Sequence, residues 1–175
     1  MPDRQARRPR PPLDEAALKA LGLTYVARFA TSRSKLAEYL RRKLRERGWS
    51  GIGEPPVAVI VAWAAEAGFI DDQAFALSRA RSLGERGYGE RRVAMALRAA
   101  GIEEDDRAAA CDHARETGDE AALRYARRKR IGPYATTPPD RRESDKALAA
   151  MLRAGHPFER AKRILSLARN FDSDT

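Results

Sequence analysis

Hydrophobic positions along the chain recur every three or four residues, and nowhere do they alternate with period two over a strand's length. Three segments share one ending: Leu36, Leu40, Leu44 and Gly48; Val93, Leu97 and Gly101; Ala147, Met151 and Gly155. In each, the apolar residues stand four apart and so fall on one face of a helix. Glycine at the next such position ends the helix, because it enters the left-handed conformation without a Cβ penalty. The glycines lie 53 and 54 residues apart. One such ending means little; three at nearly constant spacing predict an internal repeat.

Each repeat accommodates three helices. The pattern predicts them near 14–30, 33–47 and 55–67, then 71–85, 89–100 and 103–115, then 118–130, 141–154 and 157–168. Pro55, Pro56 and Pro157 suit first turns, where a missing N–H is no loss. Asp14, Asp71 and Ser144 are candidate N-caps, and the acidic run Glu103 to Asp106 fits a helix start. The helix after Pro56 carries Val57, Val59, Ile60, Val61 and Trp63 and reads as apolar all round, hence buried. Trp49 and Trp63 read as packing residues. Residues 131–139, with Gly132, Pro133, Pro138 and Pro139, predict a mobile loop.

The expected fold is all-α: three tandem three-helix repeats, 13–70, 71–115 and 116–169, in an elongated, curved array. Residues 1–12 read as a disordered basic tail and 170–175 as a frayed end.

Composition narrows the function classes. The 43% of hydrophobic residues suffices for packed cores, yet no run reaches the roughly 18 apolar residues of a membrane span. A single cysteine, Cys111, precludes an intramolecular disulfide and points to a reducing, cytoplasmic setting. The formal charge of +9 is unevenly placed: residues 28–47 sum to +6, 103–123 to −6, and 124–130 to +5. Such a field favours polyanions or acidic protein surfaces as partners.

Catalytic constellations are missing. His113 stands two residues after Cys111, which puts the pair on different helix faces and gives poor metal geometry. His156 reads as closing a turn before Pro157, and Asp71-Asp72 as a helix cap rather than a catalytic pair. No glycine-rich phosphate cradle, Gly-x-Ser-x-Gly or Cys-x2-Cys occurs. We expect no enzyme, no cofactor and no metal.

The surfaces say more. On helix 33–47, Arg41, Arg42 and Arg45 lie behind the leucine stripe. On helix 89–100, Val93, Ala96, Leu97 and Ala100 face inward while Arg91 and Arg98 point away, with Met95 between them. Met95 suits either contact with a partner or packing on a neighbouring repeat, the second being somewhat favoured. A transcription or nucleoid factor reading duplex DNA is the alternative. It is disfavoured because the third helix of repeat two begins with Glu103, Glu104, Asp105 and Asp106, which repel phosphate.

The central segment resembles the RecX family. The resemblance rests on Gly68-Phe69-Ile70-Asp71-Asp72, Phe75-Ala76, Ser78-Arg79-Ala80-Arg81, Gly87-Tyr88-Gly89, and Arg91-Arg92 leading to Ala96-Leu97-Arg98 and Gly101-Ile102. The Leu36 to Gly48 and Met151 to Gly155 segments resemble the family's outer repeats, so the likeness spans about residues 13–168. Ala96, Ala99, Ala100 and His156 depart from its usual residues.

The resemblance implies a negative regulator of RecA. Such a protein lies in the groove of the RecA–single-stranded DNA filament and suppresses strand exchange and co-protease activity. It implies a cytoplasmic monomer whose partners are the RecA filament and, weakly, single- or double-stranded DNA. The candidate contact residues are Arg41, Arg42 and Arg45; Arg79, Arg81, Arg91, Arg92 and Arg98; and Arg127, Arg128 and Arg130.

Overall fold

A computed structural model describes residues 10–167, and the readings for 1–9 and 168–175 lie outside it. Among the described residues there are nine α-helices and no strand, only an isolated bridge between Leu13 and Trp49. The helices are α1 (Glu15–Arg28), α2 (Arg33–Arg47), α3 (Val57–Glu66), α4 (Asp72–Glu85), α5 (Glu90–Ala99), α6 (Glu104–Glu116), α7 (Gly118–Lys129), α8 (Arg141–Arg153) and α9 (Phe158–Leu165). The chain divides into two compact units after Asp72. The first holds α1–α3; the second holds α4–α6 and α7–α9.

The terminating glycines behave as the repeat pattern requires. Gly48, Gly101 and Gly155 have φ of +81°, +67° and +93°, where a Cβ is strained. Within the first unit, Leu13, Leu18, Leu36, Leu40, Val57 and Ile60 form a buried core, with Leu44 and Trp49 partly buried against it. Pro11 is not loose: its carbonyl accepts from Nε and Nη2 of Arg47 at 3.0 and 2.8 Å. The second unit has two cores. One joins Ala76, Ala80, Leu83, Val93, Leu97 and Ile102. The other joins Ala122, Tyr125, Ala126, Met151, Ala161 and Ile164, and Tyr88 packs against both.

Leu97 is fully buried at the centre of its core. Leu97→Ala should destabilise the protein by about 2–5 kcal/mol, through lost transfer energy and the cavity left behind. Chemical denaturation followed by circular dichroism measures this; a shift below about 1 kcal/mol would mean that the site collapses around the smaller side chain.

Several local expectations are corrected. α3 is not buried all round: Val57, Ile60 and Ala64 face the core, but Val59 is 67% exposed. A ten-residue helix inside a three-helix unit has only one side to bury. Ser144 lies inside α8 and caps nothing; Asp140 is the N-cap, in a box with Glu143. The prolines stand just before their helices, with Pro56 and Pro157 in the cap positions of α3 and α9. The 131–139 segment contains a 3-10 turn, Gly132–Tyr134. Gly132 has φ +59°, and a Cβ there would lie 3.0 Å from Leu165 Cα, so the turn itself packs on the end of α9.

Asp72 is not a free carboxylate. It is buried and accepts from the backbone N of Arg33 at 3.0 Å, satisfying a donor at the start of α2. Ser32 caps the same end by accepting from Lys35 N at 3.2 Å. Asp72 thus caps the start of α2, a helix that begins 39 residues earlier in the chain.

Candidate functional site

Every one of the eleven arginines singled out from sequence is exposed: Arg41, Arg42, Arg45, Arg79, Arg81, Arg91, Arg92, Arg98, Arg127, Arg128 and Arg130. In the first unit, Arg41, Arg42 and Arg45 line one shallow depression with Lys35, Tyr25 and Tyr39. Tyr25 and Tyr39 stack at 4.2 Å between centroids, and the Arg42 guanidinium stands 5.5 Å over the Tyr39 ring. Arg42 also reaches Glu46 at 3.7 Å, a weak exposed pair. The hydrogen bond from Lys43 holds the Glu46 carboxyl below its usual range.

In α5, Val93 and Leu97 are fully buried, while Arg91, Met95 and Arg98 are exposed. Met95 is 63% exposed, so within this chain it does not pack on the next repeat, against the somewhat favoured expectation. Arg45 and Arg98 each stand three residues before a terminating glycine, so the second helices of repeats one and two present a guanidinium at the same position. Leu152, 36% exposed, takes that place in repeat three.

A second group forms where repeats two and three meet inside the second unit. Arg92 of α5 and Arg128 of α7 lie 5.1 and 5.9 Å from the Tyr88 ring, and Arg128 lies 5.3 Å from Tyr125. Arg128 also donates to the carbonyl of Arg86, and Arg124 Nε donates to Gly84 O at 3.2 Å. Both therefore neutralise carbonyls at the C-terminal end of α4, where the helix dipole favours cations. Arg127 lies 5.5 Å over Tyr134. The aromatic faces help to order these guanidinium groups, and Arg128 spends part of its N–H edge on the Arg86 carbonyl. Arg79, Arg81 and Arg130 are not drawn into these clusters.

The aromatic supports escaped the sequence reading. The one signal was Tyr88 between Gly87 and Gly89. A Cβ on Gly87 would lie 2.8 Å from Tyr125 N, and one on Gly89 would lie 2.4 Å from the Gly155 carbonyl. Both glycines are close-approach points, and Tyr88 is presented between them.

Two further residues tie the repeats. Arg160 of α9 donates to Asp119 at 2.9 Å, to Glu90 and to the carbonyl of Arg115 at 3.1 Å. The hydrogen bond from Arg163, then that from Arg160, keeps the Asp119 carboxyl below its ordinary range. His156 is fully buried rather than merely closing a turn. Its Nε2–H donates to Gly87 O at 3.1 Å, and Nδ1 has no partner.

Burial holds the His156 pKa below the ordinary imidazole value of 6.5. A proton added at Nδ1 would be buried without an acceptor. Because the folded pKa lies below the unfolded one, the unfolded chain binds the extra proton first. Stability should therefore be full above about pH 6.5 and fall as the pH drops below it. His156→Gln should flatten that part of a stability–pH curve measured by thermal melting; an unchanged slope would exclude His156 as its source.

Among the described residues no cluster could hold a metal ion, and no helix is long and apolar enough to cross a membrane. A family model for the RecX second three-helix domain matches residues 71–110. The chain is 33% identical over 171 residues to the regulatory protein RecX of Myxococcus xanthus strain DK1622, covering 93% of this chain and 91% of that one. It is 31% identical over 140 residues to the regulatory protein RecX of Agrobacterium fabrum strain C58, covering 76% and 73%. Among solved structures, the fold is similar to RecX from Lactobacillus salivarius, with TM-score 0.69, 16% identity, and coverage of 86% of this chain and 93% of that one. It is also similar to a crystal structure of regulatory protein RecX, with TM-score 0.65, 23% identity, and coverage of 86% and 70%.

Proposed function

Because the chain belongs to the RecX family of regulatory proteins, we propose that it is a negative regulator of RecA. In this reading it binds in the groove of the RecA–single-stranded DNA filament and inhibits strand exchange and co-protease activity. It acts in the cytoplasm, as a monomer, by binding rather than by catalysis.

The observation that carries this reading is the recurrence of exposed guanidinium groups behind a buried apolar stripe in successive repeats: Arg41, Arg42 and Arg45 on α2, and Arg91 and Arg98 on α5. Several modest contacts on one chain suit a target that repeats its own surface, because each later contact forms at high effective concentration. Arg127 and Arg128 extend the same chemistry into repeat three. A duplex-reading factor fits less well, because the exposed Glu104 and Asp105 open α6, where a recognition helix would need to accept phosphate. Weak, salt-sensitive contact with single- or double-stranded DNA accompanies the main interaction.

The test is RecA-catalysed strand exchange and single-stranded-DNA-dependent ATP hydrolysis with the purified chain. Inhibition that grows with the ratio of the chain to RecA is expected. Unimpaired exchange with the chain in several-fold excess would overturn the reading.

A further inference from the structure

Repeat three contains an open groove of about 910 Å³ between α7, the 3-10 turn, α8 and the end of α9. Its lining includes partly buried aliphatic residues, Ile131, Ala147, Leu148, Ala150 and Leu165. Five cations surround these residues: Lys129, Arg130, Lys146, Arg153 and Lys162. All five are exposed, and none forms an ion pair with another described residue. The lining has two acids. Glu143 is turned toward the start of α8, where it accepts from Asp140 N at 3.1 Å, so it offsets little of the charge over the aliphatic floor. Asp145 is the other.

We propose that this groove docks an acidic peptide segment carrying one bulky apolar side chain. The apolar residue enters the floor between Leu148 and Leu165, and flanking carboxylates meet the lysines and arginines around it. Unpaired cations beside an apolar surface have this complementarity, since the floor supplies burial and the rim supplies orientation and on-rate. Nucleic acid fits less well. Tyr125, the aromatic residue of the lining, is buried and donates its hydroxyl to Ala150 O at 3.2 Å, so no base can stack on it. A small molecule fits less well too, because the hydroxyl of buried Tyr125 is already spent on Ala150 O and the cations of the lining stand exposed, which leaves little to fix its orientation. The arginines assigned to the filament lie elsewhere, Arg130 excepted, and this inference stands whether or not RecA is the target.

The experiment titrates the full chain into a fluorescein-labelled peptide, Asp-Asp-Phe-Asp-Asp, by fluorescence anisotropy at about 50 mM salt, where surface charges are only partly screened. Saturable binding is expected. Lys146→Glu with Arg153→Glu should weaken it about tenfold or more, and replacing the peptide's Phe by Ser about fivefold. Arg91→Glu with Arg98→Glu, which tests the filament reading, should leave peptide affinity within about twofold. Circular dichroism confirms that each variant is folded; Lys129→Glu with Lys162→Glu serves as a second rim variant. Equal binding of the Ser peptide would reduce the site to unspecific charge attraction and overturn the proposal. So would a single-stranded oligonucleotide of equal charge that binds more tightly and depends on the same cations, or self-association of the chain through them.

Discussion

Gly89→Ala is expected to lower stability by about 3–5 kcal/mol, through overpacking at a rigid contact and loss of the hydrogen bonds that span it. The cause is a backbone-to-backbone approach between repeats two and three. Gly89 N donates to Ala154 O at 2.9 Å, and Arg91 N donates to Gly155 O at 3.1 Å. A Cβ on Gly89 would sit 2.4 Å from the carbonyl carbon and oxygen of Gly155 and 2.5 Å from His156 N. Those are backbone atoms, so no rotamer change makes room. Urea unfolding monitored at 222 nm measures the effect as a lower midpoint. Gly84 supplies the comparison: it lies inside α4 with nothing within 4 Å of its Cβ position. Gly84→Ala should stabilise by roughly 0.5–1 kcal/mol, from helix propensity alone. If both alanines shift the midpoint equally, the close approach does not hold the repeats together.

On the proposed function, reversing Arg91 and Arg98 to Glu should weaken inhibition of RecA by about 10- to 100-fold, measured as the concentration giving half-maximal inhibition of strand exchange. Both side chains are exposed on α5 and flank the exposed Met95, so each reversal replaces attraction for a carboxylate by repulsion. The helical circular dichroism and unfolding midpoint should stay near those of the unmodified chain, because the buried face of α5 is untouched. A loss of helix would instead assign the two arginines to the fold, and full inhibition by the double variant would remove α5 from the interface. Raised salt should weaken the unmodified protein in the same direction, since exposed charges are screened within about 10 Å at 0.1 M.

The helical periods and their endings were legible residue by residue. Leu36 and Leu40, then Val93 and Leu97, then Met151 are all buried, and the glycines after them adopt left-handed backbone. Expected helix limits differ from the observed ones by a few residues at most. Where reading by local pattern failed, the deciding partner lay far along the chain. Asp72 bonds across 39 residues, His156 across 69, and Arg160 reaches Glu90 across 70. Val59 and Met95 failed for the related reason that hydrophobicity and helical phase do not say whether a neighbour covers a given face.

The same division holds for the candidate site. Periodicity placed Arg41, Arg45, Arg91 and Arg98 opposite the core stripes, and their exposure follows directly from helix geometry. That Arg92 and Arg128, 36 residues apart, share the Tyr88 ring could not be read from spacing. Taken by itself, the sequence determined an all-helical repeat and which side of each helix meets water, because both follow from hydrogen bonding and apolar burial within a few turns. Tertiary structure alone decided how repeats two and three meet, which glycines admit a neighbouring backbone, and which cations converge on one groove. Those outcomes depend on packing between distant segments, where steric fit and burial of a few atoms outweigh any local preference.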